Sequence, residues 1–337
     1  MPKNPRTTNA KDEGCGALDP ASLAFVQDEL LSWFATHARD LPWRQTRDPY
    51  QILVAEIMLQ QVQVERVIPF YRAFLDRFPT VRVLAAAPIA DVIRVWGDLG
   101  RYRRLVNLHA TARAIVADFD GVFPRDPEVL RLLPGIGPYT AGAVACFAFE
   151  QDDGFLDTNI RRVLHRLFVG VDVPAPTATD RKLLAIADAA VPHGKAWSWN
   201  QALMDFGATR CTARRPACAE CCVRAACHAR PTIADALGEL PRRPTRKSPR
   251  YDGSNRYYRG RVLAELRGLP VDEGAESGIP IHDLGERVSE GFGTDDVPWL
   301  YGVVESLARD GLATVAKDAP AYDAAVSEPG EVRVKLP

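Results

Sequence analysis

The sequence predicts an all-α core followed by a small C-terminal module that mixes helices with short strands. Apolar residues recur at helical spacing through residues 19–230, and no stretch before residue 250 alternates between apolar and polar side chains. A stretch rich in proline and basic residues then follows at 231–250 and is expected to be a linker. With 337 residues, 47% of them hydrophobic, the chain is long enough for two or three domains with buried cores.

Two helices of the core have clear start signals. Asp19-Pro20 and Asp48-Pro49 each place a capping aspartate directly before a proline that suits the first helical turn. Elsewhere the helices are inferred from apolar periodicity and from the residues that bound each segment. Helices are expected at 23–34, 50–61, 102–118, 127–133, 138–149, 158–168 and 180–190.

The C-terminal module, 251–337, is predicted to be a small winged-helix-like α+β unit. It offers a basic helix near 255–267, a second helix near 298–310, and a short strand pair at 313–316 and 332–335. At the other end of the chain, residues 1–18 contain no apolar stretch and are expected to form a disordered tail.

Composition and charge restrict the classes of function. No apolar run reaches the roughly 18 residues needed to cross a bilayer, and the N-terminus does not resemble a secretory signal. We therefore expect a cytoplasmic protein with reduced thiols and no membrane contact. The formal net charge is −1, but residues 94–113 and 241–261 are strongly basic. Each basic stretch fits a solvated surface as well as a set of contacts to nucleic-acid phosphates.

Five of the seven cysteines fall within residues 211–227. Cys211, Cys218, Cys221 and Cys227 have the spacing C-x6-C-x2-C-x5-C. Four thiolates in one short loop can hold a [4Fe–4S] cluster, and four cysteines can also bind a structural zinc ion. Cys222 is a competing ligand, although its use would change two of the spacings.

A glycine-containing turn, Leu-Pro-Gly-Ile-Gly-Pro, separates the expected helices 127–133 and 138–149. Gly135 and Gly137 permit a tight turn and close approach of another backbone. The free N–H groups of the turn and of the following helix suit a phosphate. Many helix–helix turns contain glycine, so this turn alone is weak support for DNA binding.

Two carboxyl groups are candidates for catalysis. Glu56 lies on helix 50–61 among apolar neighbours, where loss of hydration would favour its protonated form, as a general acid requires. The alternative is a glutamate that reaches solvent beside a buried stripe. Asp157 precedes helix 158–168, where an aspartate commonly serves as an N-cap.

Taken in order, the glycine turn, Asp157 and the cysteine loop resemble the helix-hairpin-helix, iron–sulfur DNA glycosylases. Within that superfamily, segments 41–44 (LPWR), 56–61 (EIMLQQ) and 199–205 (WNQALMD) resemble the MutY family. The resemblance covers about residues 20–230 and implies two domains. The six-helix domain is expected at 46–153, the cluster domain at 19–45 with 154–230, the linker at 231–250 and the module at 251–337.

The resemblance implies the chemistry of a monofunctional glycosylase with a [4Fe–4S] cluster on Cys211, Cys218, Cys221 and Cys227. Glu56 would protonate N7 of an adenine flipped out of the duplex, and Asp157 would stabilise the resulting sugar cation. Tyr139 stands where strand-cutting relatives have a lysine, and would position the water or Asp157. Asn159 would orient the site.

Further positions match substrate contacts of the family. The substrate would be double-stranded DNA with adenine opposite 8-oxoguanine or guanine, bound by a monomer. Arg101 departs from the family, which usually has a tyrosine there that stacks beside 8-oxoguanine, and Tyr102 is the neighbouring aromatic residue. The remaining expected contacts are Arg44, Leu59 and Gln201 for adenine, Gln61 for the orphan base, and Gly135 and Gly137 for phosphate.

Two other interpretations of the function remain open. One is a thymine or uracil mismatch glycosylase of the same superfamily, and the other is a non-enzymatic iron–sulfur DNA-binding protein. The second has no need for both Glu56 and Asp157.

Overall fold

The computed structural model describes residues 19–241, 251–270, 278–315 and 332–337. The chain divides into two compact units, one formed by Met1–Asp40 with Ala145–Arg242 and the other by Leu41–Val144 with Arg243–Pro337. The predicted tail 1–18, most of the strongly basic part of the predicted linker and most of segment 316–332 lie outside the described residues. The domain limits expected from the sequence remain predictions.

The described residues are mainly helical. Short 3-10 helices at Pro42–Arg44, Cys218–Glu220 and Thr294–Asp296 supplement the α-helices. The α-helices are α1 (Pro20–His37), α2 (Pro49–Leu59), α3 (Val64–Arg77), α4 (Val81–Ala86), α5 (Ile89–Trp96), α6 (Arg103–Phe119), α7 (Pro127–Leu130), α8 (Pro138–Phe149), α9 (Thr158–Phe168), α10 (Asp180–Ala190), α11 (Ala196–Thr209), α12 (Ile233–Gly238), α13 (Asn255–Gly268), α14 (Ile281–Val288) and α15 (Val297–Arg309).

Both predicted start signals are confirmed. The Asp19 carboxylate accepts a hydrogen bond from the backbone N–H of Ser22 at 2.9 Å, and Asp48 accepts one from Tyr50 at 2.8 Å. These bonds satisfy N–H groups that have no partner within the first helical turn, so they fix where α1 and α2 begin. Within the described part of residues 19–241 there is no β-strand, as expected.

In the first unit, α1 packs against α11, and α11 packs against α9. The ring of Trp33 on α1 meets the edge of Phe206 on α11, with ring centroids 5.2 Å apart. The fully buried Asp205 is paired with Arg39, whose Nε lies 2.7 Å from its Oδ1. A buried carboxylate requires such a partner, so this pair fixes the end of α1 against α11.

In the second unit, α2, α3, α5 and α6 surround a core that includes Phe74 and Trp96. The Phe74 ring lies 5.1 Å from the ring of Phe78 and 6.0 Å from that of Trp96, centroid to centroid. This core carries α2, the helix on which Glu56 lies.

The C-terminal module contains α13, α14 and α15 with a three-stranded sheet of order β1-β3-β2. Strands β2 (Thr314–Val315) and β3 (Arg333–Lys335) pair antiparallel, which confirms the predicted pair. Strand β1 (Ile279–Pro280) was not expected, because a two-residue strand leaves no alternation to detect. Helix α14 was not expected either. The order helix, strand, helix, helix, strand, strand is that of a winged helix.

Two further observations concern the chain as a whole. No helix among the described residues is long and apolar enough to cross a membrane. Part of the predicted linker is helical, since α12 begins at Ile233 and buries that side chain. A proline-rich composition therefore did not exclude one short helix.

Candidate active site and cysteine loop

Glu56 lies near the end of α2 and is only 3% exposed. The hydroxyl of Tyr139, at the start of α8, donates a hydrogen bond to its Oε2 at 2.6 Å. Tyr139 was expected to position the water or Asp157, and its contact with Glu56 was not foreseen from the sequence. If Oε2 accepts this bond, the acidic proton of a protonated Glu56 belongs on Oε1.

Arg104 caps the end of α2. Its Nη1 donates to the carbonyl oxygens of Ile57, Met58 and Gln60 at 2.7–3.0 Å. The last carbonyls of a helix have no partner within it, so the half-buried guanidinium of Arg104 is an effective cap. Burial lowers the pKa of Arg104 to about 10. In the sequence Arg104 is one basic residue of the stretch 94–113, whereas in the structure its contacts hold the segment that carries Glu56.

Asp157 is the N-cap of α9, as expected. Its Oδ1 accepts hydrogen bonds from the backbone N–H groups of Asn159 and Ile160 at 2.9 and 2.6 Å. Its Oδ2 accepts from the side-chain amide of Asn159 at 3.0 Å. Asn159 therefore holds the carboxylate from two sides.

Burial raises the pKa of Asp157 above its ordinary value, and the hydrogen bonds from Ile160 and Asn159 act in the opposite direction. Burial disfavours the charged form, whereas donors favour it. An anion with a raised pKa and fixed orientation is suited to stabilising a developing positive charge.

Arg162 and Gly207 support Asn159, and neither residue was expected from the sequence to have a role at the site. Arg162 donates to Oδ1 of Asn159 at 2.9 Å, to the carbonyl of Gly207 at 2.6 Å and to that of Cys211 at 2.7 Å. A Cβ atom on Gly207 would lie 2.7 Å from the Cβ of Asn159, which is closer than real contacts. Glycine is therefore needed where α11 meets α9.

The four cysteines at 211, 218, 221 and 227 line one small cavity, together with apolar residues such as Val163 and Ile233. Cys222 is not among the residues that line it. No three His, Cys, Asp or Glu side chains in the described chain lie close enough to bind one metal ion.

The donor set and its surroundings fit a cluster. Burial raises the pKa of Cys221 to about 12 and also raises that of Cys211. The buried Arg166 places Nη1 3.6 Å from the Cys211 sulfur and donates to the carbonyls of Thr212 and Ala213. This cation would favour thiolates once a metal displaces their protons.

The glycine turn adopts a tight conformation between α7 and α8. Gly135 has φ +73°, and a Cβ there would lie 2.5 Å from the side chain of Asn107, so glycine is required. Thr111 fixes the turn by donating to the carbonyl of Pro134 at 2.6 Å. A Cβ atom on Gly137 would meet no atom within 4 Å, so the space beside this residue is open.

Three expected adenine contacts lie at defined positions. Arg44 ends the short 3-10 helix in which Trp43 is buried, and Leu59 is the last residue of α2. Gln201 is a buried residue of α11 in the other unit.

Gln61, Arg101 and Tyr102 line one groove in the second unit. Gln61 and Arg101 both have left-handed backbones, with φ +57° and +51°. Tyr102 is half-buried, donates to the carbonyl of Gly97 at 2.6 Å and accepts from Arg267 at 2.9 Å. Its hydroxyl is thus held in place, and Arg101 is the exposed side chain of the pair.

Comparison with known proteins gives the family. Residues 54–188 match the HhH-GPD superfamily of base excision DNA repair proteins. The chain is 45% identical over 242 residues to the adenine DNA glycosylase of Mycolicibacterium smegmatis, covering 71% of this chain and 79% of that protein. The chain belongs to the adenine DNA glycosylase family. It is also 39% identical to the Mycobacterium tuberculosis enzyme over 86% of this chain and 90% of that protein.

Solved structures agree with the fold of this family. A thermostable thymine-DNA glycosylase has a TM-score of 0.59 and 31% identity, covering 63% of this chain and 98% of its own. A trapped endonuclease III–DNA covalent intermediate has a TM-score of 0.55 and 22% identity, with 64% of this chain and 98% of its own covered. The second likeness concerns the fold alone.

Proposed function

We propose that this protein is a monofunctional glycosylase that removes adenine from duplex DNA where adenine lies opposite 8-oxoguanine or guanine. It acts as a cytoplasmic monomer. The observation that carries this proposal is the buried Glu56, held by the Tyr139 hydroxyl, in a chain 45% identical to an adenine DNA glycosylase. An acid that is shielded from water and fixed in orientation suits protonation of a leaving base.

The reaction begins when adenine leaves the base stack, at a cost of a few kcal/mol. Glu56 donates its proton to N7 of adenine, and the glycosidic bond breaks with its electron pair passing to the base. The sugar is left as an oxocarbenium-like cation, which the Asp157 carboxylate stabilises. Water then adds to the sugar carbon and releases a proton to the solvent, from which Glu56 is protonated again, so the products are free adenine and an abasic site.

Tyr139 supports a reaction without strand cleavage. A phenol cannot form the imine with the sugar that a lysine amine forms. Its hydrogen bond to Glu56 gives it a different role, which is to fix the orientation of the acid. Borohydride should therefore trap no wild-type protein on DNA, and efficient trapping would contradict a monofunctional enzyme.

Cys211, Cys218, Cys221 and Cys227 would hold a [4Fe–4S] cluster, which supplies a structural cross-link for the loop when bound. The purified protein should be brown and contain about four iron atoms per chain. Cys222→Ser should keep that iron content, whereas Cys218→Ser should lose it. A colourless protein with one zinc ion per chain would overturn this assignment.

Removal of thymine or uracil is the second candidate, since a thymine-DNA glycosylase is 31% identical to the chain. Adenine is favoured because the matching relatives of higher identity are adenine glycosylases and because Gln201 supplies an amide that suits the adenine edge. The test is single-turnover base release from duplexes with A, T or U opposite guanine, 8-oxoguanine or cytosine. Release of thymine or uracil alone would replace this proposal, and release of no base would favour a binding protein.

The roles of the two carboxyl groups are tested by Glu56→Gln and Asp157→Asn. Each should abolish base release while leaving the affinity for DNA nearly unchanged, because each removes a role in the transition state. Glu305→Gln, at an exposed glutamate of α15, is the matched control and should keep the wild-type rate. Near wild-type release by either carboxyl variant would contradict the mechanism.

A further inference from the structure

A groove in the second unit, with a volume of about 1140 Å³, lies between α13 and two segments of the helical core. Residues 60–63, Arg66 and residues 98–104 supply the lining from the core, and Asp310 and Leu312 add to the α13 side. Eight arginines and two aspartates line the groove, which gives a formal charge of +6. A concave surface with this charge attracts a polyanion.

Five of the eight arginines are already held within the protein. Arg104 caps α2 as described, and Arg267 donates to the Tyr102 hydroxyl. Arg259 donates to Ser306 and pairs with Asp310, Arg261 donates to the carbonyl of Arg287, and Arg66 pairs with Asp98. These contacts give the groove its shape and leave these guanidinium groups less able to bind a ligand.

The other three, Arg101, Arg103 and Arg256, are exposed. Within the described part of the chain, their guanidinium groups have no carboxylate or carbonyl partner. Arg256 lies over the ring of Tyr251 at 5.8 Å, and that ring is 54% exposed. Guanidinium groups without internal acceptors, beside an exposed aromatic ring, suit a nucleic-acid backbone.

The face of α13 that lines the groove also permits close approach of a ligand. Gly260 and Ala264 follow Arg256 at intervals of four residues, so they lie on the same helix face and line the groove. Small side chains there allow a bulky backbone to come near the flanking arginines. By contrast, α15 contributes none of its exposed residues, such as Trp299, Glu305 and Arg309, to the groove.

We propose that this groove binds the sugar–phosphate backbone of duplex DNA, with Arg103 and Arg256 in contact with phosphates. The winged-helix-like module then faces DNA through its first helix, α13, and not through its third, α15. The proposal rests on the proposed function only in taking duplex DNA as the ligand. It requires neither adenine specificity nor a mismatch, because phosphate contacts carry no sequence information.

The test measures the affinity of the full-length protein for a fully paired duplex at several salt concentrations. Arg103→Ala and Arg256→Ala should each weaken binding and reduce the slope of log affinity against log salt by about 0.9, the value for one phosphate contact. Arg256→Lys should recover most of the slope because it keeps the charge. Arg309→Ala removes a charge from the same module outside the groove and should bind as the wild type does.

Thermal unfolding of each variant verifies that the fold is kept. If Arg103→Ala and Arg256→Ala bind no more weakly than Arg309→Ala, the groove does not contact DNA and the proposal is overturned, whatever else occupies it. If the slopes fall as expected but the wild type releases no adenine, the groove proposal stands and the proposed function fails.

Discussion

At the scale of single residues, the environment of Asp157 combines two opposing effects. Burial raises its pKa, and hydrogen bonds from Ile160 and Asn159 lower it. For stability, a raised pKa means that the protonated form favours the folded state, and this contribution is lost as pH rises through the folded-state pKa. For catalysis, the ionised form is required, so base release should decline as pH falls through the same value.

Asn159→Ala removes the amide donor that favours the ionised carboxylate. We expect the pKa of Asp157 to rise further, so the acid limb of the pH–rate profile should move to higher pH. One hydrogen bond contributes about 0.5–1.5 kcal/mol to the preference for the ionised form. Single-turnover rates from pH 4 to 8 measure this, with the exposed Thr158→Ala as control. If the variant instead loses rate equally at all pH values, with no shift of the acid limb, Asn159 does not act through the pKa of Asp157.

Arg101→Tyr tests the residue that departs from the family pattern. A tyrosine beside the orphan base should stack on it, and base–aromatic stacking contributes about 1–3 kcal/mol. We expect the ratio of adenine release opposite 8-oxoguanine to release opposite guanine to increase. Arg103→Tyr, at a neighbouring arginine of the same groove, should leave this ratio unchanged. An unchanged ratio in Arg101→Tyr would mean that Arg101 does not determine specificity.

Candidate functional residues could be identified from the sequence where a motif defines their role. The contacts that these residues make could not be predicted in this way. Asp157 was expected as an N-cap because its position before a helix determines that bond. The bond from Tyr139 to Glu56 joins residues 83 positions apart, and no periodicity relates them. The assigned catalytic roles remain predictions.

At the scale of elements, helix ends and helix contacts place the candidate groups. Gly207 illustrates this, because α11 passes Asn159 at a distance that permits no Cβ. The close packing of α11 against α9, which requires glycine at position 207, therefore helps to position the N-terminus of α9, where Asp157 is the cap.

Gly207→Ala should destabilise the fold, because the new methyl group would overlap Asn159. Overpacking of this kind costs about 1–3 kcal/mol. Gly302→Ala is a matched control inside α15, where a Cβ would meet no atom within 4 Å. It should stabilise the protein by about 0.5–1 kcal/mol, since alanine favours a helix interior over glycine. Denaturant unfolding measures both, and equal stability of the two variants would contradict this account.

The sequence predicted helices well where a cap or a long apolar stripe marks them. The expected helix 180–190 coincides with α10, and 158–168 coincides with α9. The helix expected at 50–61 ends instead at Leu59, because Arg104 binds its last carbonyls and Gln61 turns left-handed. That cap comes from a residue more than 40 positions away, so local pattern could not reveal it.

At the scale of the whole molecule, the C-terminal module contributes about half of the groove lining. Deletion of 251–337 should weaken binding to all duplexes and flatten the salt dependence, because Arg256 and its neighbours are lost. Equilibrium binding to matched and mismatched duplexes at several salt concentrations measures this. A loss confined to duplexes with 8-oxoguanine would instead indicate that the module reads the lesion.

Fold class was predictable because it depends on the period of the apolar pattern, which local sequence carries. The groove could not be predicted, because it forms only where α13 lies beside residues 98–104, which are more than 150 positions earlier in the sequence. The contact between Arg267 and Tyr102 joins these parts, and neither residue suggests the other in the sequence.

The left-handed backbone at Gln61 and Arg101 has a consequence for protein engineering. Gln61 follows the end of α2 where glycine is the usual residue, and a side chain in this conformation costs about 1–2 kcal/mol. Selection for heat resistance alone would therefore favour glycine at both positions. A mutant library selected in this way would yield more stable proteins that have lost the side chains facing the groove. These two positions should therefore be left unchanged when the protein is engineered for thermostability.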